Sequence, residues 1–354
     1  MSTTAKSDPG FAPALLAWYD THGRKQLPWQ TPRTPYRVWL SEIMLQQTQV
    51  ATVIGYFQRF VDALPELPTL AAAPLDQVLA LWSGLGYYSR ARNLHKTAQL
   101  CVAQHSGDLP SDFAALAALP GIGRSTAAAI LAQAWGQPHA ILDGNVKRVL
   151  SRYHGVDGWP GSSATARQLW RHAEDNTPTL RVADYTQAIM DLGATVCARS
   201  RPRCGACPLA ADCIALRDNR TAELPARKSG KASPTRSTCM LILRDANGRV
   251  LLQRRPANGV WAELWSLPEA RELDTAERTA RSLGTSIETT RPLDTFVHVF
   301  SHYRLAITPL LMRAAPQARV ADRDDLRWCS PDEILQLGLP APVRRLLQSL
   351  PGET

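Results

Sequence analysis

The chain has 354 residues, 45% of them hydrophobic, which is enough for about two domains with buried cores. Its formal charge of +9 favours an anionic partner, with nucleic acid ahead of an anionic membrane surface. Residues 1–10 lack an apolar signal core and no apolar run is long enough to span a bilayer, so we expect neither a secreted nor a membrane-spanning protein. We expect a globular monomer in the cytoplasm, associated with the nucleoid.

Helical spacing dominates the first two thirds of the chain. Ala- and Leu-rich stretches fill residues 13–217, and between Val50 and Leu64 the apolar residues recur at i, i+3, i+4 and i+7. Residues 119–123 read Leu-Pro-Gly-Ile-Gly, which predicts a tight turn into a helix that continues to Ala134. Backbone N–H groups at such a helix start can bind a phosphate, although a plain connection between helices needs the same glycines.

Two acidic residues in this region have ordinary explanations. Glu42 could be an acid in the first turn of a helix, favoured by the helix dipole. Asp143 could be the N-cap of a helix that begins near Asn145. The two are far apart in the chain, so the residues alone do not bring them together.

A cysteine-rich loop occupies residues 197–213. Its cysteines are Cys197, Cys204, Cys207 and Cys213, and the arginines between them are Arg199, Arg201 and Arg203. Four thiolates can hold a metal cluster, and the arginines indicate a polyanion. A four-cysteine zinc ribbon usually has two Cys-x2-Cys pairs, whereas this loop has one, so the spacing favours a [4Fe-4S] cluster over zinc. A disulfide framework is less favoured, because a long chain with no secretory signal has only seven cysteines.

The pattern changes after a basic, polar stretch at residues 224–234. Met240–Leu243 and Val250–Gln253 predict two strands joined by the turn Asp245–Gly248, in which Asn-Gly supplies the positive φ angles of a hairpin. A second domain of the α+β class is therefore predicted to begin near Thr238.

The hairpin at 119–123, the Asp143 segment and the cysteine loop together resemble the helix-hairpin-helix DNA glycosylases. Within that superfamily, residues 39–50 and 84–94 match the MutY-type adenine DNA glycosylases. The resemblance covers nearly the whole chain and implies an all-α catalytic region, a linker and a Nudix-like domain that recognises 8-oxoguanine. The expected bounds are 9–223 for the catalytic region (a six-helix module at 30–136 with its hairpin at 119–124, and an iron–sulfur module at 9–29 plus 137–223), 224–237 for the basic linker and 238–351 for the Nudix-like domain.

This resemblance implies a monofunctional repair enzyme that flips adenine out of duplex DNA, where it is mispaired with 8-oxoguanine or guanine, and hydrolyses its N-glycosidic bond. Glu42 would be the general acid toward adenine N7, and Asp143, supported by Asn145, would stabilise the cationic sugar. Glu42 then needs a raised pKa, whereas Asp143 should stay ionised. Ser125 occupies the place of the lysine that forms a Schiff base in relatives resembling endonuclease III, and serine cannot form that imine.

Other roles implied by the resemblance concern contacts with DNA. Gln47 and Thr48 would lie near the vacated adenine, and Tyr87 would be a wedge beside the opposing base, although core packing would also suit Tyr87. The remaining assignments are Trp29 and Leu45 for the adenine pocket, Gly121, Gly123, Arg199, Arg201 and Arg203 for DNA, and Phe300, Ser301 and His302 for 8-oxoguanine. Trp29 and Leu45 could equally be core residues, and residues 300–302 an ordinary surface turn.

Three other functions are weighed against this one. An endonuclease III-type glycosylase for oxidised pyrimidines does not account for Ser125 or the second domain. A non-enzymatic iron–sulfur protein that binds DNA or senses redox state would need no Glu42. A Nudix hydrolase would need a Gly-led helix with a Glu-Glu pair for Mg²⁺, which residues 271–280 lack.

Overall fold

The computed structural model describes residues 10–228, 233–300, 302–316 and 323–350. Its contacts divide the chain into two compact units: residues 1–72 with 96–230, and residues 73–95 with 231–354. Residues 73–95, which the resemblance assigns to the six-helix module, therefore group with the sheet of the second unit. No helix among the described residues is long and apolar enough to cross a membrane.

Helices account for the regular structure that is described between residues 10 and 228, as the sequence predicts. They are α1 (Phe11–His22), α2 (Pro35–Leu45), α3 (Val50–Ala63), α4 (Leu67–Ala72), α5 (Leu75–Trp82), α6 (Ser89–Gln104), α7 (Phe113–Ala117), α8 (Arg124–Trp135), α9 (Gly144–Tyr153), α10 (Ser163–Asn176), α11 (Val182–Thr195) and α12 (Ile214–Arg217), with 3-10 turns at Pro28–Gln30 and Cys204–Ala206. The predicted stripe of α3 is buried at Val53, Phe57, Phe60 and Val61, while Ile54 stays 38% exposed.

Local sequence determines where α8 and α9 begin. Gly121 has a φ of +78° in the turn before α8, a conformation that glycine adopts without steric cost. Gly123 is the N-cap of α8 and makes no side-chain cap, so the first N–H groups of that helix are not capped from within it. Asp143 caps α9, accepting a hydrogen bond from the Val146 N–H at 2.8 Å.

The second unit contains a mixed eight-stranded sheet. Its remaining elements are β1 (Thr235–Arg244), β2 (Val250–Arg254), β3 (Trp265–Ser266), β4 (Glu269–Ala270), α13 (Ala276–Ser282), β5 (Thr285–Pro292), β6 (Phe296–Val299), β7 (Arg304–Pro316), β8 (Leu326–Cys329), α14 (Pro331–Leu335) and α15 (Ala341–Ser349), with a 3-10 turn at Leu273–Thr275. The strands run in the order β3-β2-β1-β7-β5; β4 pairs with β1, β6 with β7 and β8 with β2. β1 and β7 are parallel, and their pairing extends from Thr235 opposite Arg304 to Arg244 opposite Arg313.

Alternation along β1 separates two apolar cores, one on each face of this sheet. Met240 and Ile242 pack with one cluster, and Leu241 and Leu243 with the other. The predicted β1–β2 hairpin is present, with Arg244 opposite Val250.

The turn of this hairpin differs from the prediction. Of the Asn-Gly pair only Gly248 has a positive φ, at +75°. The side chain of buried Asp245 organises the turn instead, because it accepts hydrogen bonds from the N–H groups of Asn247 and Arg249.

Candidate active site

A cavity of about 880 Å³ in the first unit is lined by all four predicted catalytic residues. The predicted residues that line it are Trp29, Glu42, Leu45, Gln47, Thr48, Ser125, Asp143, Asn145 and Arg199. The fold thus brings together two carboxyl groups that the sequence separates.

Glu42 lies late in α2, so the first-turn explanation for it is wrong. Its Oε1 atom accepts a hydrogen bond from Gln133 Nε2 on α8 at 2.8 Å. Burial raises the pKa of Glu42 to about 7, the bond from Gln133 lowers it, and the charge of Asp143 raises it. Glu42 can therefore be protonated near neutral pH, as a general acid must be.

Asp143 is at once the N-cap of α9 and a wall of the cavity, so the ordinary and the catalytic explanations for it are compatible. Burial raises the pKa of its carboxyl group, while hydrogen bonds from backbone N–H groups and the positive charges of Arg148 and Lys147 lower it. The pKa of Asp143 is raised overall, so the polar setting expected for it is present only in part: its carboxyl group is buried like that of Glu42, although two N–H groups and two cations favour its ionised form.

Residues of α9 and α11 hold Asn145 in place. Arg148 Nη2 donates to Asn145 Oδ1 at 2.8 Å and to the carbonyl oxygen of Gly193 at 2.6 Å. A Cβ atom built on Gly193 would lie 2.6 Å from the Cβ of Asn145. α11 therefore approaches α9 so closely that only glycine fits at this crossing.

Ser125 lies in the first turn of α8 and connects it to the chain before Asp143. Its Oγ accepts a hydrogen bond from the Leu142 N–H at 2.9 Å. The hydroxyl thus helps to hold the segment that ends in Asp143.

The aromatic and polar residues around the carboxylates differ in exposure. Trp29 is 3% exposed and contacts the edge of Phe57, with ring centroids 5.4 Å apart, so it is both core and cavity wall. Gln47 follows α2 in the left-handed conformation, with a φ of 59°. The N–H of Thr48 donates to the Leu45 carbonyl at 3.2 Å, which closes this turn at the rim of the cavity.

Three polar residues of the cavity lie outside every motif in the sequence: Arg24, Gln187 and Thr195. Arg24 donates to both carboxylate oxygens of buried Asp191. Its Nη2 lies 2.6 Å from Oδ1, and its backbone nitrogen lies 2.7 Å from Oδ2. Gln187 Nε2 donates to the same Oδ1 at 2.8 Å. These contacts join the start of the chain to α11 by tertiary packing, which leaves no local sequence signal.

The four cysteines of the loop line one small cavity of about 30 Å³ in the first unit. All seven cysteines of the chain lie in the described residues and none is in a disulfide. The guanidinium group of buried Arg152 donates to Cys197 Sγ at 3.4 Å and to the Ala198 carbonyl at 2.7 Å. A buried cation therefore compensates negative charge at the sulfurs.

The cysteines of the loop do not form a ready site for a single metal ion within the described residues. One zinc ion with Zn–S bonds of about 2.3 Å would hold its four sulfurs roughly 3.8 Å apart. Within the described ranges no three Cys, His, Asp or Glu side chains are arranged to hold one metal ion. Burial raises the pKa of Cys207 to about 11, so a stable thiolate here needs a nearby cation.

The three arginines of the loop have different surroundings. Arg199 lines the large cavity, and Arg203 lines the cysteine cavity while its Nη2 donates to the Thr195 carbonyl at 2.7 Å. Arg201 is exposed, with a φ of 53°. The loop thus presents positive charge both to the active-site cavity and to solvent.

A second cavity, of about 440 Å³, lies within the second unit. Tyr87, Phe300 and His302 line it together with Trp261 and His298. Tyr87 is 47% exposed with a φ of 48°, so core packing is the wrong explanation for this residue.

Phe300 anchors the segment predicted to contact 8-oxoguanine. Its ring stacks on Tyr303 with centroids 4.6 Å apart, and it lies 5.1 Å from the ring of Trp261. The Phe300 N–H donates to the Tyr303 carbonyl at 2.9 Å, which closes the turn. Ser301 lies outside the described residues.

Residues 73–95 are bonded to the sheet domain within the second unit. The Tyr88 hydroxyl donates to the Leu339 carbonyl at 2.8 Å, and Arg92 Nη1 donates to the Ala262 carbonyl at 2.8 Å. Arg254 Nη2 lies 2.8 Å from Asp76 Oδ1. Tyr87 lies in residues 73–95, which these bonds hold against the sheet domain that carries Phe300. The two residues therefore line one cavity.

Comparison with protein families identifies both parts of the chain. Residues 40–175 match the family described as "HhH-GPD superfamily base excision DNA repair protein", and residues 239–349 match "NUDIX domain". The predicted fold class, a helical glycosylase core followed by an α+β Nudix-like domain, is confirmed.

Two adenine DNA glycosylases are similar to this chain over nearly its full length. The adenine DNA glycosylase of Buchnera aphidicola (subsp. Acyrthosiphon pisum) is 37% identical over 96% of this chain and 97% of its own length. That of Homo sapiens is 32% identical over 97% of this chain and 74% of its own.

A solved structure of a thermostable thymine-DNA glycosylase is also similar, with a TM-score of 0.54 and 27% identity over 59% of this chain and 95% of its own. An endonuclease III–DNA complex, with a TM-score of 0.51 and 22% identity over 59% of this chain and 94% of its own, shares the fold.

Proposed function

The chain belongs to the adenine DNA glycosylase family, and we propose that it hydrolyses the N-glycosidic bond of adenine paired with 8-oxoguanine or guanine in duplex DNA. It is a base-excision repair enzyme of the N-glycosyl hydrolase class. The non-enzymatic alternative is therefore wrong. The observation that carries the proposal is the cavity of about 880 Å³ into which Glu42 and Asp143 both open.

Departure of adenine needs a proton on the base and a negative charge beside the sugar. A protonated Glu42, with its pKa raised by burial to about 7, donates that proton to adenine N7 as the C1′–N9 bond breaks. The pair of electrons leaves with the neutral base, and ionised Asp143 stabilises the oxocarbenium-like sugar. Water then adds to C1′ and releases a proton to the surrounding water, which gives an abasic site.

The cavity is large enough to accept a flipped base, and its lining suits one. Trp29 and Leu45, which line it, offer apolar surface to a purine. In the proposed complex Gln47 and Thr48, which also line it, face the space that the base leaves. Flipping costs a few kcal/mol of unstacking, which contacts at this rim offset. Ser125 has no amine and cannot form the Schiff base that a lysine forms, so we expect an abasic-site product and little cutting of the strand.

DNA contacts surround this cavity in the proposed complex. The uncapped start of α8 at Gly121 and Gly123 binds a phosphate through backbone N–H groups, and Arg199, Arg201 and Arg203 supply positive charge. The protein acts as a monomer on chromosomal DNA. Since phosphate contacts dominate such binding, its affinity falls steeply as salt rises.

Cys197, Cys204, Cys207 and Cys213 hold a [4Fe-4S] cluster in this proposal. The cluster's role is to cross-link the loop that carries the three arginines, and the reaction at the sugar does not pass through it. An iron chelator should release iron and weaken DNA binding, while Glu42→Gln should leave the iron content unchanged.

In the second unit, Tyr87 is the wedge, and Phe300, Ser301 and His302 form the segment that recognises 8-oxoguanine. The exposure of Tyr87 and the anchoring of Phe300 by Tyr303 support these roles. The Nudix-like domain has lost hydrolysis, because it lacks the Glu-Glu pair that would hold Mg²⁺.

Single-turnover excision tests the proposal. Wild type and Glu42→Gln are compared on duplexes with adenine opposite 8-oxoguanine, guanine or thymine. We expect rapid release of adenine from the first, slower release from the second and none from the third, and a loss of about 10²–10⁴-fold in the variant. Equal rates for the variant and wild type would remove Glu42 from the acid role.

A further inference from the structure

Gln133 is buried in α8 and contacts the carboxyl group of Glu42. Gln133 is 5% exposed. It is not among the described residues that line the cavity. Gln133 Nε2 donates to Glu42 Oε1 at 2.8 Å. α2 and α8 pack against each other, so this bond crosses a helix interface rather than a loop.

The direction of this hydrogen bond has a chemical consequence. An amide N–H donates best to an oxygen that carries no proton, and in a carboxylic acid that is the carbonyl oxygen. Oε1 is therefore the carbonyl oxygen when Glu42 is in its acid form. The acidic proton is then on Oε2, the oxygen that Gln133 does not occupy.

From this geometry we propose that Gln133 is a positioning residue for the acid step, because it keeps the transferable proton of Glu42 on the oxygen that faces the substrate. The inference rests on the proposed role of Glu42 as general acid. Gln133 touches neither the base nor the sugar and acts through Glu42 alone.

The same bond tunes the strength of the acid. A donor to the ionised carboxylate lowers its pKa, and it opposes burial and the charge of Asp143, which both raise it. The other charged groups that share the cavity are Arg24, Arg148 and Arg199. Gln133 differs from these because it bonds to the reacting carboxyl group directly.

Gln133→Met tests this role, since methionine keeps the length and most of the volume of glutamine but has no donor. Without the bond, the ionised form of Glu42 loses stabilisation and the pKa of Glu42 rises. Excision needs the protonated form, so its rate falls as pH increases through that pKa. We expect the midpoint of this fall to move upward by about 0.5–1 unit. We also expect the plateau rate on the acid side to drop several-fold, because the proton is then shared between both oxygens.

Gln137→Met is the matched control. Gln137 follows the same helix and donates to the Ser111 carbonyl at 3.0 Å. This variant loses a similar bond away from Glu42, so its pH midpoint should equal that of wild type. Gln133→Glu sharpens the comparison: a carboxyl group in place of the amide would share the acidic proton with Glu42, and excision should fall more than in Gln133→Met.

The outcomes separate the two proposals. An unchanged or lowered midpoint in Gln133→Met, with Glu42→Gln inactive, overturns the role of Gln133 and leaves that of Glu42 intact. A lowered midpoint would mean that residue 133 accepts the proton of Glu42 instead of donating to its other oxygen. An active Glu42→Gln protein would instead overturn the acid mechanism itself. Thermal unfolding of each variant confirms that it is folded at the assay temperature.

Discussion

The two large cavities, one in each unit, are built for different tasks. The cavity of about 880 Å³ holds two carboxyl groups whose pKa values are raised by burial, with each carboxyl fixed by a hydrogen bond to a helix. The cavity of about 440 Å³ is lined by aromatic and imidazole rings that lie on loops and turns and, at His298, on β6. Bond cleavage needs groups with adjusted acidity, whereas recognition of a base needs ring faces and hydrogen bonds.

The backbone shows the same division. In the first cavity the carboxylates lie on regular α2 and at the cap of α9. In the second, the ring-bearing residues Tyr87 and Trp261 have positive φ angles of 48° and 57°, whereas in the first such an angle is found at Gln47 (59°) and at neither carboxylate. Such conformations cost about 1–3 kcal/mol each in residues other than glycine, and they concentrate where a side chain must be aimed. The comparison predicts that changes in the first cavity alter the rate, and that changes in the second alter the choice of partner base.

Asp143→Asn should produce the largest effect. Asparagine retains the cap of α9 but removes the negative charge beside the sugar, so single-turnover excision should fall by at least about 10²-fold. Asp112→Asn is a matched control, because Asp112 caps α7 with a bond to the Ala115 N–H at 2.8 Å. That control should excise adenine at the wild-type rate. A similar loss in both variants would assign the effect of Asp143 to capping.

Replacing Ser301 and His302 together by Ala should reduce preference rather than catalysis. One or two lost hydrogen bonds of about 0.5–1.5 kcal/mol each would lower the ratio of rates for 8-oxoguanine:adenine over guanine:adenine by about 2–150-fold. The rate on guanine:adenine should change little. The measurement is excision from both duplexes under single-turnover conditions, and an unchanged ratio would contradict the role of this segment.

The sequence predicted the helical class, the α3 face, the cap at Asp143 and the β1–β2 hairpin, because each depends on residues close in the chain. The resemblance predicted that Glu42 and Asp143 act together, and the fold places both in one cavity. The individual catalytic and DNA-contact roles remain predictions.

Contacts across the fold were not predictable in this way. Gln133 sits in an Ala-rich helix with no local sign that it faces Glu42. Arg24 and Asp191 meet only because the start of the chain packs on α11. The grouping of residues 73–95 with the sheet domain likewise depends on tertiary bonds such as that from Tyr88 to Leu339.

Gly193→Ala should disturb the first cavity indirectly, by forcing apart the helices α9 and α11 that carry some of its lining residues. The added Cβ would lie 2.6 Å from the Asn145 Cβ and 3.1 Å from its backbone, so α9 or α11 must shift. Overpacking of this kind costs about 1–3 kcal/mol, and excision should fall because Asn145 and Arg148 move with α9. Gly55→Ala is the control: its Cβ meets nothing within 4 Å in α3, and it should stabilise the protein by about 0.5–1 kcal/mol. Thermal unfolding and excision rates of both variants provide the measurement.

Tyr88→Phe should have the smallest effect and should be felt in the second cavity. The change removes the hydroxyl that donates to the Leu339 carbonyl at 2.8 Å. Because Ser83 Oγ donates to the same carbonyl at 3.2 Å, the acceptor stays bonded and the loss should be under about 1 kcal/mol. If residues 73–95 and the sheet domain position Tyr87 and Phe300 together, the preference for 8-oxoguanine:adenine should fall slightly while excision from guanine:adenine is unchanged. A loss of equal size on both duplexes would show that this bond serves the reaction generally. It would contradict the expectation that the second cavity affects only the choice of partner base.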